Sequence, residues 1–448
     1  MRFSFLGLGA LGLGLVVACG SSSGGSSGDS NPGTDSGSAS SSGSGSSSGG
    51  SGGSSGGSSS GGSSSGTTVG DAGDDGGLGA TGNPDGSCTT LTPPTQTKLV
   101  DTSKPTTVVG TGTAASCTFD ALTAAVTKGG IITFDCGTAP VTIPVTATLL
   151  PPVSKDSEPF ISVVIDGGNT VTLDGQSSVR LLSWVHDTWR TNMDTLTLQR
   201  IRIVNGKTTP TEKIPACPPA GGISNTACST GYDDGQGGAL YMQDGTLVVI
   251  DSIFQKNQAA LLGPDTGGGA IYIFGSAAPA YVMHSSFIDN TASNAGAIGM
   301  LASGAFIFDS LFEGNSAVGT GANNNDASQC TCDNGGDANQ IGSGGNGGSI
   351  YSDGNALDVT ICGTEIKGNT ANEFGPAVFM TNDGRGGHLV IDDSIITGNS
   401  TPISYWQWCT DVSTDYPHAE DGGAGSPSPI NTSFCNASGQ ACTMKCST

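Results

Sequence analysis

The chain has 448 residues, with 15 basic and 38 acidic side chains that give a net charge of −23 at pH 7. A surface this negative repels nucleic acid and anionic lipid, so neither is expected as a partner. The sequence contains no P-loop, dinucleotide fingerprint, HExxH or GxSxG motif, and it therefore gives no support to the nucleotide-binding, metalloprotease and esterase functions that those motifs indicate.

The first 18 residues have the features of an export signal. Arg2 provides a basic start, and the apolar run from Leu6 to Ala18 is 13 residues long. This run is shorter than the roughly 20 residues that cross a bilayer, which predicts a cleaved signal peptide. The tetrad that ends at Cys19 resembles the lipobox of bacterial lipoproteins. The resemblance implies acylation of Cys19 and anchoring at the outer membrane or cell surface, and the alternative is an ordinary signal peptide.

Residues 19–87 are predicted to be a lipidated Cys followed by a linker. The segment from Gly20 to Ser87 consists of Ser and Gly with scattered Asp and almost no apolar residue. It cannot bury enough apolar surface to offset its ordering entropy, so we expect a flexible spacer with a reach of about 45 Å. Six acidic residues and one basic residue precede Ser87, so the remaining part keeps 14 basic and 32 acidic residues and a charge of −18.

Residues 116–137 are predicted to cap the folded part. Phe119, Leu122 and Val126 lie on one face of a short amphipathic helix, and an apolar strand follows. The segments ISVVIDG, NTVTLDG and TLTLQRIRIVNG, from Ile161, Asn169 and Thr195, alternate apolar and polar residues. This alternation is typical of half-buried strands.

Five later segments repeat one pattern, in which an apolar residue follows a Ser or Thr by two positions and an Asn follows that residue by three. The segments are DSIFQKN from Asp251, HSSFIDN from His284, DSLFEGN from Asp309, GTEIKGN from Gly363 and DSIITGN from Asp393. Each follows a turn of small residues such as GGAL or GGAI. Repetition at a period of tens of residues predicts a solenoid, because each unit buries its apolar face only against its neighbours.

The Asn at the end of each segment is expected to stack on the next Asn and to hydrogen-bond along the stack. Asn also tolerates the left-handed backbone of a tight corner, which is a second expected role for these residues. The connection after Asn315 is the long one. Residues 316–347 contain almost no apolar side chain, which predicts an inserted loop.

The paired GGAI or GGAL and FxxN signals resemble the repeats of polymorphic outer-membrane proteins. Residues 88 to about 405 resemble the pectin-lyase-like superfamily. The resemblance implies an all-β fold, a right-handed single-stranded parallel β-helix solenoid with a short N-terminal capping helix. The fourth and fifth repeats depart from the pattern, with Ile366 and Ile396 in place of Phe.

Twelve cysteines besides Cys19 form an even number in an exported chain, which favours disulfides. Cys217 and Cys228 bracket a short Pro- and Gly-containing excursion and are predicted to pair. A zinc site at Cys330, Cys332 and Cys362 is the alternative for those three residues. Four further cysteines are expected to staple the Cys-rich C-terminal segment, residues 406–448. They are Cys409, Cys435, Cys442 and Cys446.

The resemblance also implies where catalysis would occur, since lyases of this superfamily combine acidic Ca²⁺ ligands with an Arg or Lys base and the hydrolases use clustered Asp. The densest candidate is SWVHDTWRTNMD, from Ser183. Trp184 and Trp189 could stack on sugar rings, His186 or Arg190 could transfer a proton, and Asp187 could orient substrate or bind a metal. The alternative is that the tryptophans pack a loop and that His186 and Arg190 are solvated.

Two further candidates involve carboxylates. Asp233 and Asp234 are adjacent and would point to opposite sides of an extended chain, so acidic turn residues are the alternative to a site. His284 stands in a column between Asp251 and Asp309 of the neighbouring repeats, about 4.8 Å away on each side, which predicts a raised pKa. Charge complementarity on a sheet face explains the same column without catalysis.

These patterns leave three functions open. The first is a surface lipoprotein whose β-helix mediates adhesion or carbohydrate contact, with polysaccharide or a surface protein as partner and without catalysis, metal or cofactor. The second is a polysaccharide lyase or glycoside hydrolase, with Ca²⁺ as a possible cofactor of the lyase. The third is a structural spacer of the envelope. Fold resemblance does not choose among them.

Overall fold

The computed structural model describes most of the chain from residue 81 to residue 402, within a single compact unit that covers 67–448. The described residues are 79, 81–155, 158–210, 233–263, 266–319, 344–354, 357–380, 387–402, 412–414 and 431–433. The predicted signal peptide, Cys19 and the predicted linker up to residue 78 lie outside them.

The described strands form three long sheets and one short sheet, and all pairings are parallel. The first, sheet A, has ten strands, which in spatial order are β1 (Thr107–Val109), β2 (Ile131–Phe134), β4 (Ser162–Asp166), β7 (Thr195–Gln199), β10 (Thr246–Ile250), β13 (Ala280–Met283), β17 (Ala305–Phe308), β21 (Leu357–Cys362), β25 (Gly387–Asp392) and β28 (Asn431–Ser433).

The other sheets run beside sheet A. Sheet B contains β3 (Val141–Pro144), β5 (Val171–Asp174), β8 (Arg202–Val204), β11 (Ile253–Gln255), β14 (Ser286–Ile288), β18 (Leu311–Glu313), β22 (Glu365–Lys367) and β26 (Ile395–Thr397). Sheet C contains β6 (Leu182–Val185), β9 (Leu240–Gln243), β12 (Ile271–Phe274), β16 (Ile298–Leu301), β20 (Ile350–Asp353), β24 (Val378–Met380) and β27 (Val412–Thr414). Sheet D contains β15 (Thr291–Ala292), β19 (Ser316–Ala317) and β23 (Thr370–Ala371).

From β6 onward, each coil of the chain visits sheets C, A and B in that order and then returns to sheet C, and within the described ranges the chain passes through sheet D on three of these returns. The coil β9, β10, β11 stacks on the coil β12, β13, β14 with every strand in register. Inward side chains alternate with outward ones, so that Leu247 and Val249 join the central core while Val248 and Ile250 form part of an outer cluster. This arrangement confirms the predicted all-β parallel β-helix solenoid.

A short helix lies at the N-terminal end of the stack. Helix α1 (Phe119–Lys128) begins after Thr118, whose hydroxyl accepts a hydrogen bond from the N–H of Ala121, and ends at Gly129 with a positive φ. Leu122 and Val126 are fully buried against the first coils. The predicted capping helix is therefore present, and its apolar face closes the end of the core.

The predicted Asn stack runs unbroken through five coils. The side-chain amide of Asn290 donates to Asn315 Oδ1 at 2.9 Å and to the carbonyl oxygen of Phe254 at 3.0 Å, while Asn290 Oδ1 accepts from both nitrogens of Asn257. Asn369 and Asn399 continue the same pattern. Each buried amide thereby satisfies polar backbone groups of the preceding coil.

The left-handed residues are not the stacked asparagines. Positive φ angles of 47° to 62° occur at the A-to-B corner instead, at the first residue of each repeat: Asp251, His284, Asp309, Gly363 and Asp393. A second left-handed position lies just before each Asn, for example Lys256 and Asp289. The Asn side chain is needed inside the stack for hydrogen bonding, and its neighbours make the sharp turn. The expected left-handed role of Asn was therefore wrong.

The inserted loop begins later than residue 316. Strand β19 pairs with β15 and β23 as a regular part of the coil, and residues up to Gly319 are hydrogen-bonded to the preceding coil. Residues 320–343 lie outside the described part of the chain.

The chain before the cap forms an N-terminal strap, residues 81–102, on the outside of the solenoid. Its first half runs along the A-to-B corner towards the C-terminal coils. The N–H of Gly82 donates to Ser286 Oγ at 3.0 Å, the amide of Asn83 donates to the carbonyl of Gly363 at 2.8 Å, and Thr89 donates to Asp393. Residues 81–87, which fall within the predicted linker, thus contact the coils directly.

The second half of the strap runs back along the outer edge of sheet A. Thr90 hydrogen-bonds to Asp392, Val100 exchanges hydrogen bonds with Gln199, and Thr102 donates to Asp166. Between these points the 3₁₀ turn Thr95–Thr97 lies against β10 and β13. The outer-facing cluster of Val248, Ile250 and Tyr281 is only 3–8% exposed.

Two disulfides join described cysteines. Cys88, near the reversal of the strap, is bonded to Cys362 at the end of β21, 274 positions later in the sequence. Cys117 and Cys136 join the start of α1 to the end of β2. The zinc alternative is therefore wrong for Cys362, whose sulfur is taken up by the disulfide. Cys217, Cys228, Cys330, Cys332 and the four C-terminal cysteines lie outside the described residues.

No helix in the described ranges combines the length and the apolar character needed to cross a bilayer.

The Asn stack predicts a position-dependent loss of stability. Asn290→Ala leaves the buried N–H of Asn257 and the carbonyl of Phe254 without partners, so we expect the free energy of unfolding to fall by about 2 to 5 kcal/mol. The matched control is Asn399→Ala at the half-buried end of the stack, which should cost much less. Urea denaturation followed by circular dichroism measures both, and equal losses would contradict the stack as the source of stability.

Candidate functional site

The densest cluster of candidate residues forms the connection from β6 in sheet C to β7 in sheet A. We call residues 185–194 the site loop. The inward and outward alternation of β6 continues through it. Trp184, His186, Asn192 and Asp194 are buried, whereas the odd-numbered positions from Val185 to Met193 are exposed. This alternation decides which of the predicted residues can meet a ligand.

Trp184 lies on the buried side. Its side chain is 0% exposed, and its indole N–H donates to the carbonyl of Pro152 at 2.9 Å. The ring also packs edge-on against His186, with 4.6 Å between centroids. No face of this indole is open to a sugar, so the structure does not support stacking of a carbohydrate on Trp184.

His186 is also buried, and both of its ring nitrogens have acceptors. Nε2 lies 3.0 Å from Asp194 Oδ2, and Nδ1 lies 3.0 Å from the carbonyl oxygen of Gln243. The His186 side chain is 2% exposed and that of Asp194 is 0% exposed. The imidazole therefore ties the site loop to β9 and has no free nitrogen for a substrate.

Two buried carboxylates hold the loop in shape. Burial raises the pKa of Asp194, but hydrogen bonds from Ser154, Ile161 and His186 outweigh burial, and the net pKa is lowered. Burial likewise raises the pKa of Asp244, and hydrogen bonds from the backbone N–H groups of Thr191 and Asn192, from the Thr188 hydroxyl and from the Gly245 N–H lower it overall. Both side chains are thus ionised acceptors, Asp244 for the backbone of the site loop and Asp194 for the His186 ring and the backbone of the neighbouring segment. Sequence reasoning did not identify either residue.

The exposed side of the loop presents an aromatic platform. Trp189 is 46% exposed and packs edge-on against Phe274, with 4.6 Å between ring centroids. The indole lies over Gly275 so closely that a Cβ there would lie 2.1 Å from the ring. Only a glycine leaves room for this placement. One side of the ring is supported by sheet C, and the ring retains a large solvent-exposed area.

Other side chains of the site loop also reach solvent. Val185 and Met193 are 40% and 47% exposed, and Asp187 is exposed two positions before Trp189 in the sequence. Phe160, 59% exposed, lies beside the end of the loop, since its neighbour Ile161 donates its N–H to Asp194. The solvent-exposed side of the loop therefore combines apolar side chains with a carboxylate.

Arg190 lies at a bend of the loop. Its φ is 56°, its side chain is half-buried, and its N–H donates to the carbonyl of Gly275 at 2.9 Å. The backbone of Arg190 thus fixes the loop on the same glycine that supports Trp189.

The other candidates lie at different corners of the coil. The 3₁₀ turn Asp233–Gly235 stands at the B-to-C corner, where the carbonyl of Gly235 accepts from the N–H of Ala260, and Asp234 is half-buried. His284 stands at the A-to-B corner, and the site loop at the C-to-A corner. The width of sheet A, five residues in β7, places roughly 20 Å between the last two corners.

Two further basic residues near sheet A, Arg200 and Arg202, also have structural partners. Arg200, at the A-to-B corner, forms an ion pair with the buried Asp166, and Arg202 in sheet B hydrogen-bonds to Gln255. Neither residue is near His186, because β7 separates them. The structure therefore does not bring the predicted acids and bases together at one point of the described surface.

The His284 column has the predicted electrostatics and is partly covered. A hydrogen bond from His284 Nδ1 to Asp251, at 2.8 Å, raises the pKa of His284 against the effect of burial, and the charges of Asp251 and Asp309 add to the rise. The raised pKa was predicted correctly. The N-terminal strap lies against this column, since a Cβ at Gly82 would lie 2.4 Å from the imidazole. The strap contacts one side of the ring, and the His284 side chain remains 46% exposed.

Within the described ranges, no group of three His, Cys, Asp or Glu side chains is arranged to hold a metal ion. No family model, no curated protein and no solved structure matches this chain.

The ionised state of Asp244 predicts acid-sensitive stability of the loop. The pKa of Asp244 in the folded chain is below its ordinary value of about 3.9, so its contribution is complete above that pH and is lost as the pH falls through the folded-state pKa. Asp244→Asn should lower the free energy of unfolding at pH 7 by about 2 kcal/mol and by less near pH 3.

Urea unfolding of both proteins at the two pH values measures this effect. Asp187→Asn, at an exposed position of the same loop, is the control and should change little at either pH. A difference that is the same at pH 3 and pH 7 would show that the charge of Asp244 is not what holds the loop.

Proposed function

We propose that this chain is an exported lipoprotein, anchored through Cys19, whose β-helix binds a neutral glycan at the site loop without catalysis. The observation that carries the proposal is the exposed indole of Trp189, fixed over Gly275 in a loop that also exposes Asp187 and Met193. A pyranose ring has an apolar C–H face that stacks on an indole and hydroxyl groups that donate to a carboxylate.

The burial pattern of the loop supports binding without catalysis. His186 has the chemistry of an acid or base, but it is buried and hydrogen-bonded through both nitrogens. Proton transfer to a substrate requires a group within hydrogen-bond reach of the substrate. The groups that do reach solvent, Trp189, Met193 and Asp187, are those of a recognition surface.

The charge of the protein supports a neutral ligand. The chain after the predicted linker has a net charge of −18 by sequence, and Asp187 is exposed beside the indole. An anionic polysaccharide would be repelled by this field at moderate ionic strength. Neutral polysaccharides of a cell surface or matrix are therefore the proposed partner class, and adhesion is the proposed consequence.

We also propose kinship with the pectin-lyase-like β-helices and with the repeats of polymorphic outer-membrane proteins. The support is the recurrence of Ser, Phe and Asn columns in consecutive coils, with Phe254, Phe287 and Phe312 stacked at centroid distances of 5.1 and 4.8 Å. The role of such folds varies, so this kinship concerns architecture and not substrate.

Substitution of the indole tests the glycan proposal. Trp189→Ala should weaken binding of neutral polysaccharide about five- to thirtyfold, because stacking on the ring supplies on the order of 1 to 2 kcal/mol. A glycan array of neutral and anionic polysaccharides identifies the ligand, and calorimetry then compares the variants. Leu262→Ala, which removes a 59% exposed apolar side chain outside the site loop, should bind as the unchanged protein does.

Two results would contradict this proposal. One is unchanged affinity in Trp189→Ala at preserved circular dichroism. The other is the appearance of new reducing ends or unsaturated products when the bound glycan is incubated with the protein, since either product requires a catalytic centre.

The anchor has a separate test. Cys19→Ser removes the thiol that would carry the lipid, so the protein should move from the membrane fraction to the soluble fraction of expressing cells. Ser21→Ala, two residues away, should leave the protein in the membrane fraction. Retention of Cys19→Ser in membranes would disprove the lipid anchor without bearing on glycan binding.

A further inference from the structure

The N-terminal strap connects the linker to the middle of the solenoid and not to its first coil. Its contacts begin at the coil of His284 and Ser286, continue to Gly363 and Asp393, and return towards Asp166. The Cys88–Cys362 disulfide fixes the strap covalently close to its reversal. A pull on the linker therefore reaches the coil of Cys362 before it reaches the cap.

We propose that the strap and the Cys88–Cys362 disulfide form a mechanical clamp. Tension applied N-terminal to Cys88 enters the solenoid at the coil of Cys362, and residues 89–361 are kept out of the path of the force between the two ends of the chain. This inference goes beyond the proposed function and does not depend on it, because it involves neither a lipid nor a glycan.

The need for a clamp follows from the solenoid architecture. Each coil is held only by its two neighbours, so a pull on the first coil would peel the coils away one at a time. Without the disulfide, the linker would load first the strap, then β1 and then α1. The hydrogen bonds of the strap would break in sequence, and the buried face of the cap would follow.

The attachment point is well placed to carry the load. Cys362 is fully buried at the end of β21, which is paired on one side with β17 and on the other with β25. Displacement of this strand requires both ladders to break together. A strand at the end of the stack would have one neighbour only.

Noncovalent contacts around the disulfide spread the load over neighbouring coils. The N–H of Asn83 donates to the carbonyl of Asp309, and the N–H of Cys88 donates to the carboxylate of the same residue. On the other side Thr89 and Thr90 hydrogen-bond to Asp393 and Asp392. The strap is therefore bonded to the coil before and the coil after that of Cys362.

Single-molecule force spectroscopy on the full chain, with handles at the two termini, tests the clamp. In the oxidised protein the released contour length should lack the closed segment, which is 274 positions or roughly 900 to 1,000 Å of extended chain. The double variant Cys88→Ala and Cys362→Ala keeps the Cys117–Cys136 bond, which spans 19 of these positions, so it should release roughly 840 to 920 Å of additional length. Its coils should unfold in successive steps at lower force than the first rupture of the oxidised protein.

The second disulfide provides the matched control. Cys117→Ala with Cys136→Ala removes a bond that spans 19 positions inside the closed segment, and the force path should stay unchanged. If the Cys88 and Cys362 double variant does not fold, the control variant is pulled before and after addition of reductant. The Cys88–Cys362 bond is then recognised by its length, since it closes 274 positions whereas the predicted Cys217–Cys228 bond spans 11. Equal released lengths in the two states, or equal first-rupture forces, would overturn the clamp.

Discussion

The hydrogen-bonded Asn stack is the constraint on which the other features of the solenoid depend. Each buried amide joins a corner to the next coil, and a shift of one residue would break the stack and place apolar side chains outside. The stack therefore fixes the register of the five coils that it joins. With the register fixed, residues of one repeat lie directly above their counterparts, as Phe254, Phe287 and Phe312 do. The side chains at the repeated positions are used for this packing. Side chains that could contact a ligand therefore lie in the connections between strands.

The site loop shows how such a connection becomes a surface. Buried and exposed residues alternate along it in phase with β6, although the chain bends at Arg190. The interior residues include His186 and Asp194, which form a buried pair, and Asp244 accepts hydrogen bonds from the backbone of the loop. These polar groups replace the apolar core as the support of the loop. The exposed residues Trp189 and Met193 belong to this supported loop, although their side chains do not pack in the core.

The strap has the opposite role, since it covers a surface. It lies over the column of left-handed corner residues that includes His284, and along the outer edge of sheet A. This column carries the perturbed pKa values of His284 and Asp309, which would otherwise mark it as a place for chemistry. In this protein the charges of the column serve as hydrogen-bond partners for a chain segment that must be held on the solenoid.

The sequence by itself determined the solenoid, the capping helix and the Asn stack, because identical side chains at a repeated spacing satisfy one another only when the coils are stacked. It also placed Trp189 in a candidate site. Which side chains of that site reach solvent depends on the alternation of β6, in which Leu182 and Trp184 are buried and which continues to the buried His186. Only the tertiary structure decided the strap and the Cys88–Cys362 bond. These contacts join segments 274 positions apart, and no local pattern of apolar residues records which distant coil a polar segment will meet.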